Sequence, residues 1–474
     1  MVFLRLFGLV LVLLAGALGG CTSPGPAGPA TGASSASVGV PVLPRSLERD
    51  IGPAYRDPAL QAYVDGVGQR LLRRSGIATP YRFIVLDLPN ANAHAVSNYV
   101  FVTRGLLAGL DDEAELAAAL SHEVSHLLQR HAAQRAQARQ GVLDAAIEAA
   151  AATGSVTVGR SVAREGLIAL RRYSRDQELE ADQLGLALLV RAGYRGTAMA
   201  DLIDKLRRQS QLEMQLMGEA PDAVDRRSAT STHPAPVERY DALRRLPDLA
   251  LPGESGREPY LKAIDGMSVD DSPQEGFVRG NRFFHPVMML GFEAPRDFRL
   301  FNDQEGVLGV GRDRSLMFFS CLPEPVTGSL TDWMRNQLKP TPTDIQATEI
   351  GGAEAAIGAR PRGSDTGLSQ LRYVMVRRGD RVCYFNLLSD GADRDHRIDV
   401  LMNAARTFRA LSEAELAGLR PYRLRVVPTG GASAARLAQG LPYDDYKMER
   451  LLVLNGADSP AALMRQAQIK TIRP

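Results

Sequence analysis

Cysteine is scarce in this chain of 474 residues: Cys21, Cys321 and Cys383 are all there is. Beyond Cys21 near the N-terminus, disulfide chemistry is therefore limited to one candidate pair. There is one Trp, and aromatic residues make up 6%, which leaves no stacking platform for nucleic acid. The formal net charge is +2 and no Lys/Arg run forms a basic surface, so nucleic acid is not an expected partner. No fixed-period repeat marks a helical array. After the first twenty residues no segment is apolar enough to span a bilayer. The apolar share is that of a globular protein, and the length calls for two or three domains.

Arg5 precedes an apolar stretch that runs through Leu18, and Leu18-Gly19-Gly20-Cys21 follows. This is a signal-peptide layout over residues 1–20, and its end resembles the lipobox of bacterial lipoproteins. The resemblance implies cleavage before Cys21 and lipidation of its thiol. Thr22, standing where Asp would retain the protein, implies the outer membrane on its periplasmic side. A plain secretory signal or an uncleaved anchor is the rival reading. Residues 21–44 are rich in Pro, Gly, Ala and Ser and form an expected tether reaching roughly 25 Å. In an oxidising compartment Cys321 and Cys383 can bridge, but their spacing alone does not decide it.

The pattern predicts a mainly α domain with a small β-sheet over residues 45–250. Apolar positions Leu60, Val64, Val67 and Leu71 mark a helix. The β-rich runs 81–87 and 93–103 suggest a hairpin. Asp112 and Glu115 fit a capping box for a helix running to about residue 139. Ser174 and Gln177 fit a second box, starting a helix that ends near Gly193. An α+β domain is expected over 260–412 and a small mixed α/β tail over 421–474.

The chemistry sits in Ser121-His122-Glu123-Val124-Ser125-His126. Residues four apart share a helix face, so His122 and His126 can hold one metal ion. Glu123 lies beside that face as a general base for water. A catalytic zinc needs a third protein ligand. Glu178 and Asp182, also four apart, supply a candidate ligand and a carboxylate to orient one imidazole. Ala181 and Gly185 on the same face would let the two helices approach. Glu180 points away and is expected in solvent. His131, nine residues after His122, falls on the opposite face of a continuous helix and is expected to be structural. His285 and His396 have no partner pattern.

Four stretches resemble the HtpX/BepA-type zinc metallopeptidases, gluzincins related to the CaaX prenyl protease. They are 92–107 (NAHAVSNYVFVTRGLL), 121–126 (SHEVSH), 173–185 (YSRDQELEADQLG) and 231–239 (STHPAPVER). The resemblance covers residues 50–246 and implies one zinc per chain on His122, His126 and Glu178. It makes His233 a candidate regulatory fourth ligand, against a loop histidine that merely packs. Arg239 is either a transition-state or substrate contact or a structural salt bridge. The run at 94–102 would edge the cleft and pair with a substrate strand. His94, Ser121 and Ser125 depart from the common family residues without removing a ligand.

The tail resembles a degenerate lysin-motif domain in ARLAQ, LLVLNG and IKTI, with Thr429-Gly430-Gly431 where Gly-Asp-Thr is usual. It implies at most a weak peptidoglycan contact. Together these features predict a zinc metalloendopeptidase of the periplasm, tethered by lipid to the outer membrane. Its expected substrates are unfolded or misassembled envelope proteins. The rival is a chaperone-like or cell-wall-associated binding protein with little turnover.

Overall fold

The computed structural model describes residues 40–224, 236–303, 305–360, 370–389 and 393–474. The chain divides into two compact units: Val38–Asp270 with Tyr422–Pro474, and Asp271–Pro421.

In the first unit, helix α1 (Pro58–Ser75) starts at Asp57, whose Oδ1 accepts from the Leu60 amide at 3.0 Å, and stops at Gly76 with φ 72°. This pairing of Asp N-cap and left-handed Gly is what ends a helix cleanly. Leu60, Val64, Val67 and Leu71 are buried as their spacing predicts. A Cβ at Gly68 would lie 2.2 Å from the Phe83 ring, so α1 approaches the sheet too closely for any other residue.

The sheet joins β1 (Arg82–Leu86), β2 (Ala93–Val96) and β3 (Tyr99–Thr103) in the order β1-β3-β2. The expected hairpin between 81–87 and 93–103 is not the one that forms. β2 and β3 make a hairpin within the second run, turning at Ser97 with φ 58°, and β1 lies parallel to β3. A two-residue turn at Ser97-Asn98 is enough to fold the run on itself.

Helix α2 (Glu113–Leu128) begins at Asp112, whose side chain accepts from the Glu115 amide. Glu115 accepts from the Asp111 amide at 2.7 Å, one residue further back than a full capping box requires. The helix ends eleven residues before the expected position 139. Arg130 is left-handed, φ 56°, and α3 (His131–Thr153) sets off in a new direction. α4 (Val156–Arg191) is a single helix of 36 residues. Ser174 starts nothing: residues 166–177 contain no Pro, and strong helix formers carry the helix through. α3 and the first half of α4 pack on each other, and His131 is the buried residue of α3.

α5 (Thr197–Leu216), α6 (Pro236–Leu243) and α7 (Arg257–Ile264) follow, with the short β4 (Ser268–Val269). The sequence sets α7 at the start of the accessory domain. In the structure its Tyr260 is fully buried and donates to Leu107 O at 2.5 Å, inside the first unit.

The unit Asp271–Pro421 holds a seven-stranded sheet and a four-stranded sheet, both antiparallel. β5 (Phe277–Arg279), β6 (Arg282–His285) and β7 (Leu290–Glu293) belong to the smaller sheet. β8 (Phe298–Asn302), β9 (Val307–Gly311), β10 (Leu316–Cys321), β11 (Thr343–Ile350), β12 (Ala353–Ala359), β13 (Gln370–Arg378) and β14 (Arg381–Ser389) form the larger. Helices α8 (Leu330–Gln337) and α9 (Arg394–Ala405) and a short helix at Glu413–Ala417 supply the α part, and Arg409–Ala410 adds the fourth strand of the smaller sheet. Cys321 and Cys383 face each other across β10 and β14, and their sulfurs are 2.02 Å apart.

The tail runs strand, three helices, strand: β15 (Tyr422–Pro428) pairs antiparallel with β16 (Gln468–Arg473). Set apart in the sequence as a small domain, it is part of the first unit here. Leu424, Leu451, Leu463 and Ile469 share a core with Leu106, Leu116 and Val269. Buried Lys470 donates to Ala108 O at 2.9 Å and pairs with Asp111 at 3.0 Å.

Candidate metal centre

α2 is held at its N-terminus before it presents anything. Glu113 accepts hydrogen bonds at 2.7 Å from Tyr63, Arg70 and Tyr194, and Asp112 pairs with Arg195 at 2.8 Å. Carboxylates at that end also suit the helix dipole. Two turns further on, Ser121 and Ser125 satisfy their hydroxyls on Ala118 O and Ser121 O, so neither competes for the site.

The sequence places small residues where α4 crosses α2, and the close approach is there. A Cβ at Gly185 would lie 3.2 Å from the His122 backbone nitrogen, and Ala181 is fully buried. Glu178 of α4 thereby meets His122 and His126 of α2. His122 Nε2 and His126 Nε2 are 3.1 Å apart; Glu178 Oε2 is 3.5 Å from the first and its Oε1 3.4 Å from the second. All three residues are buried. An ion bound tetrahedrally at ~2.0–2.2 Å needs donors about 3.3–3.6 Å apart. Two imidazoles and a carboxylate at this spacing fit three of the four ligand positions of zinc.

Asp182 lies one turn on, its Oδ1 3.0 Å from His122 Nδ1. It also receives Arg239 of α6 in a fork, Nε to Oδ2 at 2.8 Å and Nη2 to Oδ1 at 2.7 Å. Burial alone would raise the Asp182 carboxyl, but the Arg239 guanidinium and the His122 ring outweigh it and hold it down at about 2. Asp182 therefore stays ionised and sets its carboxylate beside the Nδ1 edge of His122, leaving the Nε2 edge toward His126 and Glu178. Burial works against a charged His122, yet its hydrogen bonds with Asp182 and Glu178 raise it to about 9. A divalent ion would compete with that proton. Glu123, next to His122, is buried too, and it joins Asp182 and Glu178 in stabilising the Arg239 charge.

Residues 58–246 match the model of Peptidase family M48. This stretch is an M48 peptidase domain. The putative beta-barrel assembly-enhancing protease of Vibrio cholerae is 30% identical over 220 residues, 43% of each chain. The beta-barrel assembly-enhancing protease of Yersinia pestis is 30% identical over 230 residues, 45% of each. The mitochondrial metalloendopeptidase OMA1 of Schizosaccharomyces pombe is 30% identical over 207 residues, 43% of this chain and 57% of that one. The chain thus spans less than half the length of the two bacterial relatives.

Within the M48 domain the remaining candidates fall as follows. Of the two readings of Arg239, the observed geometry is the salt bridge with Asp182, buried and also 3.5 Å from Glu178. His94 sits on β2 and stacks on Phe101, ring centroids 5.1 Å apart. His233 and Cys21 lie outside the described residues. His131 is not on a far face: its Nδ1 is 2.8 Å from His126 Nδ1, and its Nε2 is 3.2 Å from Glu180 Oε2. The reason is the break at Arg130, which turns the chain so that His131 comes back over His126. Glu180 is exposed as expected, but it has this partner. Leu127-Leu128-Gln129-Arg130 contains no Gly, Pro or Asn to announce the break.

Proposed function

We propose that the chain is a zinc-dependent metalloendopeptidase of the bacterial envelope. The observation that carries this is the buried triangle of His122, His126 and Glu178, with donors 3.1–3.5 Å apart and Glu123 in the same helix turn. Zinc, when bound, would act as a Lewis acid toward the attacking water and the scissile carbonyl. Glu123 would take the proton from that water and deliver it to the leaving amine. Asp182 and Arg239 keep His122 in the tautomer that offers Nε2.

β2 is an edge strand of its sheet and lies against α2. An extended substrate segment can add to it through main-chain hydrogen bonds, which reads shape more than sequence. Unfolded or misassembled envelope proteins are the substrates this suits, and the names of the bacterial relatives point the same way. A chaperone-like protein without turnover would have no use for so complete a donor set. His233 would be a fourth ligand that shuts the enzyme. Lipidation at Cys21 would tether it to the outer membrane, and the tail would contribute at most a weak peptidoglycan contact. Among the described residues no helix is long and apolar enough to cross a membrane.

Glu123→Gln is the test. The variant should retain one zinc per chain and lose cleavage of an unfolded protein substrate by roughly 10²-fold or more. Wild-type turnover in Glu123→Gln, or full wild-type activity after chelation, would overturn the proposal.

A further inference from the structure

Each metal-facing nitrogen in the site depends on where the proton sits on the other side of its ring. For His122 the neighbour of Nδ1 is the Asp182 carboxylate, 3.0 Å away. For His126 the neighbour of Nδ1 is another imidazole, His131 Nδ1 at 2.8 Å, and His131 Nε2 is 3.2 Å from Glu180 Oε2. His131 is fully buried, whereas the Glu180 side chain is 59% exposed.

Resting on the zinc reading above, we infer that His131 and Glu180 are positioning residues that hold His126 in its metal-binding tautomer. One requirement orders the whole chain of groups. His126 must offer its Nε2 lone pair, so its proton sits on Nδ1 and is donated to His131 Nδ1. That nitrogen must then be bare, so the His131 proton sits on Nε2 and is donated to the Glu180 carboxylate. The carboxylate is thereby linked to His126 through a neutral ring. It makes the ligand more basic without placing a further buried charge beside Glu178 and Glu123.

The two supports differ in one respect with a consequence. The Asp182 arm is sealed by buried Arg239, while the Glu180 arm ends in solvent. Metal retention therefore has a handle on the protein surface, at a residue whose removal costs the fold little.

The experiment measures the zinc dissociation constant of the full chain by competition with a chromogenic chelator, independent of peptidase activity. His131→Ala should weaken zinc binding by about 10–100-fold. Glu180→Ala should weaken it by a smaller factor, about 3–10-fold, with unchanged melting of the metal-free protein. In the His131→Ala background, Glu180→Ala should change nothing further, because it acts only through the ring. If His131→Ala does not fold, Glu180→Ala alone decides. Wild-type affinity in Glu180→Ala, or equal effects of Glu180→Ala with and without His131, would overturn the inference while leaving the zinc site standing. A wild-type chain that binds no zinc would remove the proposed function itself, and this inference with it. In zinc-loaded protein labelled with ¹⁵N-histidine, a His131 proton on Nδ1 would also overturn it.

Discussion

The unit of Val38–Asp270 and Tyr422–Pro474 buries Arg104, Glu113, Glu115, Glu123, Glu178, Asp182, Arg239 and Lys470, with His122, His126 and His131. Among the described residues of Asp271–Pro421, no Asp, Glu, Lys or Arg is buried. The interior there is built on Phe283, Phe292, Phe319, Phe385 and Phe408, with the Cys321–Cys383 bridge and one buried histidine, His285. Interior charge is costly to desolvate, and packed hydrophobic residues usually do as well for stability. Its concentration in one unit marks where a constraint other than stability operates. There the charges hold α2 and α4 so that three donors converge. The described interior of the other unit is instead apolar and aromatic.

The comparison can be broken hardest at Arg239. Arg239→Met removes one partner of a buried pair and leaves Asp182 uncompensated, which costs about 4 kcal/mol. Urea unfolding followed by far-UV circular dichroism should show that loss together with weakened zinc binding. A variant as stable as wild type would mean that Asp182 finds another cation. Next in size is the bridge. Cys321→Ser with Cys383→Ser reopens a loop of sequence separation 62, worth about 3 kcal/mol. The single Trp, Trp333, lies on α8 in the same unit and reports on that unit alone. Its fluorescence midpoint should fall in urea while zinc content stays at the wild-type level. Loss of zinc in the double variant would contradict two separately stabilised interiors.

Much of the site is legible in the sequence. Helix spacing alone pairs His122 with His126 and Glu178 with Asp182, because four residues make nearly one turn. Ala181 and Gly185 announce the close crossing by their size. What is not legible depends on where chains turn without a signal residue. The left-handed Arg130 brings His131 onto His126 and converts a residue that a continuous helix sets aside into a neighbour of a ligand. The parallel pairing of β1 with β3 is equally hidden, since a period of two does not state direction. The tail misleads for a different reason. Its strand–helix–strand pattern reads as self-contained, whereas its apolar residues share the core of the first unit and buried Lys470 donates to the Ala108 and Leu110 carbonyls.

The smallest effect sharpens the comparison from the accessory side. His285 on β6 is buried, and its Nδ1 accepts from the Met288 amide at 3.3 Å. Burial, followed by the nearby Arg381 charge, pushes the imidazole down to about 4. The ring is therefore neutral in the fold, while the unfolded chain binds its proton near pH 6.5. A folded value below the unfolded one contributes stability that is full above pH ~6.5 and drains as the pH falls toward 4. The shift corresponds to about 3 kcal/mol at most, and relaxation of the site brings the expected effect to about 2 kcal/mol. His285→Gln cannot be charged. Its Trp333 urea midpoint should lose the part of the acid slope between pH 6.5 and 4 that wild type shows. The unit with the candidate metal centre would weaken in acid by another route, since protons would compete with a bound metal for His122 and His126. That loss should persist unchanged in His285→Gln. If both probes instead flatten together in the variant, acid acts on the two interiors through one event, and the contrast drawn between them fails.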